Sequence, residues 1–494
     1  MKKEQEKKRK KMIQENKELL NFYGYLREQG WIWGPEPEIY KGMPGHYTYG
    51  PMGKGLKNEL EKYIRKILGE YEYDEIETPL IYPKIVWDNS GHWDKFQDPV
   101  VMTTSGQYVR LDKILEEKIP GIVFTEMSVD EINKNLSELN KKQKDDPYIL
   151  IDEIKYRNLM MITSSGNNIC ALRPETATTT YTSFGSIYQY MNKKLPLGVY
   201  QIGKAFRNEI NPRQNIIRGR EFTQAEAHVF LNPEQKLNCS YYEQNKLKTL
   251  PIVKNNHISI LTLEECLSFN YMKTPYYLWT VYLAYSIVSS IVPNDKIRLR
   301  QHADDEKAFY ALDAWDIEIN ITSIGWTEVC GIHDRGDYDL KQHKYSLSPI
   351  PHILEVAFGV DRLIFSLLDL HRSVKSKDQG KSILSLPYFL SPIKVCVLPL
   401  TKNNALIHQR SLEIYRSIKS HFPSIFNDKH SVGKRYLKSS QKAIPFCITI
   451  DETTLIDSTI TLRDRDSEQQ IRLRQSDILA WLHSHLSSNI YSSF

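Results

Sequence analysis

The stretch FRNEINPRQNIIRGREF, Phe206 to Phe222, carries Arg207, Arg213, Arg218 and Arg220 together with Glu209 and Glu221 between two apolar-edged segments. Side chains alternate faces along a strand. The segment leading in, GVYQIGKAFRNEI, therefore puts Gln201, Gly203, Ala205, Arg207 and Glu209 on one face, and Tyr200, Ile202, Phe206 and Ile210 on the other, where they can pack. The return segment REFTQAEAHVF gathers Phe222, Gln224, Glu226 and His228 on one face. An antiparallel hairpin is predicted, with arginines, carboxylates and an aromatic ring above a floor of small side chains. Arginine grips phosphate bidentately and an aromatic plane stacks on a base, so the hairpin is a candidate nucleotide cradle. A surface hairpin with solvated charges has the same pattern, and this stretch alone leaves both readings open.

The rest of the chain bounds the problem. Its 494 residues imply two to four domains. A composition of 41% hydrophobic and 25% charged residues is that of a globular protein. No apolar run reaches membrane-spanning length, so no membrane association is expected. Cys170, Cys239, Cys266, Cys330, Cys396 and Cys447 stand singly, without a CxxC pair. That argues against a disulfide framework and a cysteine zinc site, and fits a reducing compartment. The net charge of +5 is mild. The N-terminal run MKKEQEKKRKK is locally basic, interleaved with glutamate, and lacks the apolar core of a signal peptide. It reads as a solvated tail or the start of a charged helix, with a phosphate-binding arm as the sharper alternative.

Working outward, Gln14 to Leu26 has helical spacing, and so does LKNELEKYIRKIL at Leu56, Leu60, Ile64 and Leu68. Between them, Gly30 to Gly55 is rich in Gly, Pro and aromatics and predicts strands and turns. DEIETPLIYP, Asp74 to Pro83, predicts a strand ending in proline. Two segments read as insertions: about 110–165, polar with helical pieces, and about 232–295, dominated by Leu, Tyr and Ser. Asp369 to Ser382 is a candidate linker. Beyond it, alternating strands and helices predict a separate α/β domain, with ITIDETTLI and STITLRDRD read as strand-rich.

Further charged segments surround the hairpin. LRPETATTTYTSF sets Arg173 and Glu175 around a proline, and RLRQHADDEKAFYALDAWDIEI mixes charge with Trp315. GWTEVCGIHDRGDYDL holds Glu328 and Arg335, and PHILEVAFGVDRLIFSLL reads as a strand, Gly359, and an amphipathic helix bearing Arg362. Each segment alone is weak, and a structural ion pair is the commoner explanation for any one of them.

Together these segments resemble the catalytic domain of class II aminoacyl-tRNA synthetases, and more closely the homodimeric glycyl-tRNA synthetases of the archaeal and eukaryotic type. FRNEINPR…IRGREFTQAE is similar to the second signature motif of that class, PHILEVAFGVDR to the third, and YGPMGKGLKNELEKYI with EIETPLI to the first, a dimer-interface helix and strand ending in Pro79. LRPETA, SGHWDKFQDP, RQHADDEKAFYALDAWD and GWTEVCGIHDRGDYDLKQH are also family-like. VLPL, SVGKRY, IPFCITID and TITLRDRDS resemble the anticodon-binding domain.

The resemblance implies an α+β fold: a six- to seven-stranded antiparallel sheet flanked by helices over 16–385, after a basic tail 1–15, and a C-terminal α/β anticodon-binding domain over 386–494. It implies a cytoplasmic homodimer that joins glycine to tRNA(Gly) through a glycyl-adenylate, using ATP and Mg²⁺. Arg207 is expected on the α-phosphate and Arg362 on the γ-phosphate, with adenine stacked between Phe222 and Arg362. Arg218, Asn208, Gly219 and Val329 complete the expected ATP site, and Glu209 would read the adenine amino group. Glu328 is expected near Mg²⁺, which takes oxygen ligands. Glu175, Glu226 and Glu355 would surround the glycine ammonium, with Arg335 near its carboxylate and Val356 and Ala357 beside it. In the C-terminal domain Lys434, Arg435 and Lys438 are candidate anticodon contacts, with a solvated rim as the alternative.

The chain departs from the family pattern in places. Glu355-Val356-Ala357 stands where Glu-Pro-Ser is usual, Thr178-Thr179 follows LRPETA where Gln-Gly is usual, and Asp361 stands where glycine is frequent. The stretch VMTTSGQYVRLD lacks the cysteines some relatives carry, so no zinc is expected. Two other readings compete. One is a catalytically inactive synthetase-like nucleic-acid-binding subunit, disfavoured because Arg207 and Arg362 are both present. The other is a class II synthetase for a different amino acid, disfavoured by the three glutamates.

Overall fold

The computed structural model describes residues 17–119, 124, 127–142, 146–212, 215–254, 257–303, 306–308, 310–374, 382–401 and 403–487. The whole basic run at the N-terminus, Arg213 and residues 375–381 of the candidate linker lie outside this set.

The centre is a nine-stranded sheet. Its order is His257–Thr262, Thr249–Lys254, Ile297–Gln301, Asp313–Ile321, Gly325–Gly336, His352–Gly359, Glu221–Leu231, Leu197–Phe206 and Tyr73–Glu75. All neighbours run antiparallel except Tyr73–Glu75 beside Leu197–Phe206, and Thr249–Lys254 beside Ile297–Gln301. The sheet is thus larger than the six or seven strands expected. The charged hairpin forms its best-paired part, with Leu197 to Phe206 matched residue for residue against Phe230 to Glu221.

One face of the sheet is covered by helices. The helix Pro51–Glu70 starts on a proline, whose missing N–H costs nothing there, and buries Leu56, Leu60, Ile64, Ile67 and Leu68. Each such leucine or isoleucine is worth about 2 kcal/mol against leaving it in water. The helix Val360–Leu370 follows Gly359 directly and buries Leu363, Ile364, Leu367 and Leu368 in the same core.

Two readings of the sequence change here. The segment 232–295 is part of the main core, supplying two sheet strands and the helix Pro275–Ser289, which is buried on nearly every side. A helix apolar all round has no polar face to mark its period, so its role was hidden. DEIETPLIYP is two short strands in different sheets, Tyr73–Glu75 and Ile81–Pro83. The segment around 110–165 does form a compact unit. A three-stranded sheet and the helices Leu111–Lys118 and Val129–Lys142 enclose a separate small core around Leu111, Leu115, Ile132 and Leu136.

The C-terminal unit is a five-stranded sheet, in the order Ser424–Phe426, Val395–Pro399, Phe446–Ile450, Thr459–Asp464 and Gln470–Arg474. The helices Ala405–Lys419 and Ile478–Ser487 share its core. ITIDETTLI proves to be half strand: Asp451 caps the short helix Glu452–Asp457 by accepting from Thr454 N at 2.9 Å. The unit is tied to the core by Lys394, which donates to Glu59 at 3.1 Å, and by Tyr25, which donates to the Gln441 carbonyl at 2.6 Å.

Candidate active site

A cavity of about 150 Å³ lies on the open face of the sheet. Strand register sets its floor. In one row Glu226 faces Ala357, which faces Gly331; in the next row His228, Glu355 and His333 stand in line. Residues two apart share a face, so a carboxylate with two small neighbours abuts a second row holding another carboxylate. Glu175 enters from the segment preceding the helix Ala177–Thr182 and also lines the cavity.

Two residues before Glu175 stands a buried arginine. Arg173 is buried and lies over Gly203, so close that a Cβ there would sit 2.2 Å from its Nη2. It donates to the Lys204 carbonyl at 2.7 Å, to Thr78 Oγ1 at 2.8 Å and to Gln201 Oε1 at 2.9 Å. The space above Gly203, one of the small residues of the predicted floor, is therefore filled by this brace.

The three carboxylates differ in state. Glu355 Oε2 accepts from Arg335 Nη1 at 2.9 Å and Tyr181 Oη at 2.8 Å, and its Oε1 meets His333 Nδ1 at 2.7 Å. Burial would raise this carboxyl, but Arg335 and the two histidines hold it well below the usual range. Glu175 accepts from Thr178 Oγ1 at 2.9 Å and lies 3.4 Å from His92 Nε2. Burial is again outweighed, here by His92 and Arg335, and the carboxyl is lowered. Glu226 has only the Gln224 amide at 3.0 Å and the Thr176 hydroxyl. Burial, then Glu355 and Glu175, push it up to about 8. Near neutral pH the three carboxyls thus keep two charges and hold a proton on Glu226, since like charges crowded in a dry site cannot all ionise.

The other end of the cavity is cationic. Arg207 donates through Nε to the Pro174 carbonyl at 3.0 Å, and its guanidinium lies 5.2 Å from the Phe222 ring and 5.4 Å from Phe96. One face of Phe222 is therefore covered by Arg207, and a base would take the other. Arg362 donates to the carbonyls of Glu328 at 2.9 Å and Ile217 at 3.3 Å, and pairs with the Glu328 carboxylate at 3.2 Å. That arginine, before any other cause, draws the Glu328 carboxyl down. Arg218 pairs with Glu209 at 2.8 Å, so each is held by the other across the turn. Gly219 completes this wall.

Beneath the cationic end sits a buried pair: Asp361, one of the departures from the family pattern, and Lys57, which sequence reading did not single out. Asp361 accepts from Thr223 N at 2.6 Å and from the Tyr49 hydroxyl, and Lys57 lies 3.9 Å from it while donating to Thr223 Oγ1. Lys57 sits on the Pro51–Glu70 helix, so the three signature segments meet at this point.

Several expected residues lie elsewhere. Val329 and Val356 alternate to the opposite face and are buried in the main core. Asn208 faces an adjacent groove beside Met43, Arg157 and Arg220. Arg335 is 1% exposed, and its guanidinium is taken up by both oxygens of Asp339 at 2.7 and 2.8 Å and by Glu355, so it fixes a carboxylate of the protein. Arg435 is likewise buried, donating to the carbonyls of Pro399, Asn427 and Leu400, while Lys434 is exposed and Lys438 bonds His430 at 2.8 Å. Conversely Gln224, Tyr310 and His333 line the cavity, and His92 backs it. Strand alternation had already put Gln224 beside Glu226; His92, Tyr310 and His333 sat inside family-like segments without a role.

Among the described residues no group of three His, Cys, Asp or Glu is arranged to hold a metal ion. Glu328 supplies one oxygen donor at the cationic end, so an ion there would need phosphate and water oxygens to complete its shell.

A glutamate-lined end joined to an arginine-lined end on an antiparallel sheet, with a separate C-terminal α/β unit, is the architecture of a class II aminoacyl-tRNA synthetase. The description "tRNA synthetase class II core domain (G, H, P, S and T)" matches residues 161–371, and "Anticodon binding domain" matches 394–485. Among curated proteins the chain is similar to the glycine–tRNA ligase of Pyrococcus abyssi, with 33% identity over 93% of this chain and 98% of that protein. It is similar to that of Pyrococcus horikoshii at 32% over 92% and 96%, and to that of Thermococcus gammatolerans at 32% over 91% and 95%. The chain belongs to the glycine–tRNA ligase family.

Proposed function

We propose that this chain is an ATP-dependent ligase that activates glycine as glycyl-adenylate and transfers it to the 3′ end of tRNA(Gly). The observation that carries the reading is the single cavity with Glu175, Glu226 and Glu355 at one end and Arg207, Arg218 and Arg362 at the other. An ammonium belongs at the first end and a triphosphate at the second. The carboxylate between them then lies where it can attack.

In the first step a carboxylate oxygen of glycine bonds to the α-phosphorus and the bond to pyrophosphate breaks. Glycine is already ionised, so no base is required; the site must align the reactants and neutralise charge on the phosphoryl oxygens. Arg207 supplies that charge at the α-phosphate and Arg362 at the outer phosphates, each exchanging contacts to protein oxygens for contacts to substrate. Adenine stacks on the free face of Phe222. In the second step a hydroxyl of the terminal ribose attacks the acyl carbonyl and AMP leaves. Mg²⁺ bound through Glu328 and the phosphates would add further neutralisation.

The reading extends to a homodimer. Tyr73–Glu75 ends the nine-stranded sheet, with Tyr190, 77% exposed, beside it, and Leu80 and Ile81 are exposed a few residues further along the chain. An unpaired edge beside exposed apolar side chains suits a second copy. The six cysteines are free and buried, in keeping with the cytoplasm. Among the described residues no helix is long and apolar enough to cross a membrane. Glycine-dependent exchange of pyrophosphate into ATP tests the reading; its absence from folded enzyme overturns it.

A further inference from the structure

We propose that His333 is the specificity-determining residue of the amino-acid end, a wall that fills the room a substrate side chain would need. The inference rests on the reading of this end as the glycine site and assigns the element that limits its size.

The register gives the starting point. Glu226, Ala357 and Gly331 form one row of the floor, and His333 stands two residues beyond Gly331 on the same face. Its ring leans back over that glycine: a Cβ on Gly331 would meet His333 Cε1 at 3.1 Å and Nε2 at 3.6 Å. The space above the smallest residue of the floor is therefore occupied by imidazole. Ala357, on the adjoining strand, brings only a methyl group to the same floor. Without the ring, the floor beside Glu226 would be open across two strands.

The ring is fixed from three sides. Nδ1 bonds Glu355 Oε1 at 2.7 Å. Tyr310 meets it edge-on at 6.1 Å between centroids, and His302 does so at 6.4 Å. Tyr310 is itself packed 3.7 Å from the Arg335 guanidinium, which is locked to Asp339 and Glu355. A wall braced in this way cannot swing aside at low cost, and a site that must reject every larger amino acid needs a rigid one. The same bond orients Glu355 toward the ammonium, so His333 joins two tasks: it aims a carboxylate and it excludes a side chain.

The two tasks separate by mutation. His333→Ala removes both. Alanine-dependent pyrophosphate exchange should then rise relative to glycine-dependent exchange, with the ratio of kcat/KM values moving by about 10- to 100-fold, the range one methyl group commands in a fitted pocket. His333→Leu refills the volume without the bond to Glu355; it should keep alanine excluded while raising KM for glycine. If His333→Ala is too weak for turnover, thermal-shift titration with glycine and with alanine reads the same discrimination as a change in the ratio of apparent affinities. An unchanged alanine-to-glycine ratio in folded His333→Ala overturns the proposal, as does His333→Leu admitting alanine as readily as His333→Ala does. Wild-type enzyme runs alongside: if it fails to use glycine, the functional reading fails instead, and the two failures are told apart.

Discussion

Replacing Glu226 with glutamine isolates the least satisfied of the three carboxylates. Glu226 is 2% exposed, and burial with Glu355 and Glu175 raises its carboxyl from the ordinary 4.5 to about 8. Each pH unit of such a difference is worth about 1.4 kcal/mol. Between pH 4.5 and 8 the unfolded chain is ionised at this position while the folded chain keeps its proton. In the absence of glycine, stability therefore falls across that window and levels off above it, by a sum on the order of 5 kcal/mol. Glutamine mimics the protonated form. Glu226→Gln should match wild type near pH 5 and become progressively the more stable of the two toward pH 8, as read by urea unfolding. Glycine reverses the balance. An ammonium between the carboxylates favours the ionised form, so binding expels about 0.9 of a proton at pH 7 and about 0.5 at pH 8. Apparent glycine affinity should then strengthen about ninefold from pH 6 to 7, about fivefold from pH 7 to 8, and flatten above. Calorimetry in buffers of different ionisation enthalpy counts the protons directly. In Glu226→Gln the release should vanish and glycine should bind at least tenfold more weakly, the cost of one charge-assisted hydrogen bond. Glycine binding at pH 7 without proton release by wild type, or with undiminished release by the variant, refutes the assignment of the ammonium to this site.

Other consequences are simpler to read. Arg207→Ala should lower glycine-dependent exchange by about 100-fold or more, the scale on which a charge-stabilising donor acts, with an unchanged sedimentation coefficient; near-normal exchange contradicts its role at the α-phosphate. Arg435→Ala should cost about 3 kcal/mol of stability in the C-terminal unit by stranding buried carbonyls, whereas Lys434→Ala should leave the unfolding curve in place and weaken tRNA binding, reducing its salt slope by about one. Combining Ile81→Glu with Tyr190→Lys should give a monomer in analytical ultracentrifugation, and a dimer of unaltered affinity would move the interface elsewhere.

The parts of this molecule that were legible in the sequence are those whose pattern has a period. The two strands that flank this stretch, Leu197–Phe206 and Glu221–Leu231, alternate cleanly, although Arg207 and Glu209 fall in the turn beyond the strand end, and the strand, glycine and helix of PHILEVAFGVDRLIFSLL run as written. The helix Pro275–Ser289 was not recognised as core because it is buried all round and shows no polar stripe. Charge was the weaker guide to function. Arg335 and Arg435 read as ligand contacts, yet both guanidiniums are buried on protein oxygens. A sequence shows that an arginine is present but not whether a carboxylate of the same chain has claimed it. His333 is the opposite case: its place in the cavity depends on a two-strand register and on the glycine beneath its ring, neither of which is visible along one segment.

The most direct test of the whole account is ATP–pyrophosphate exchange run on the intact wild-type enzyme with each of the twenty amino acids. A cavity with carboxylates at one end, arginines at the other and a walled floor between them predicts exchange with glycine and, at equal concentration, at least 100-fold less with alanine or serine. Exchange driven by another amino acid in preference to glycine, or by none, would contradict it.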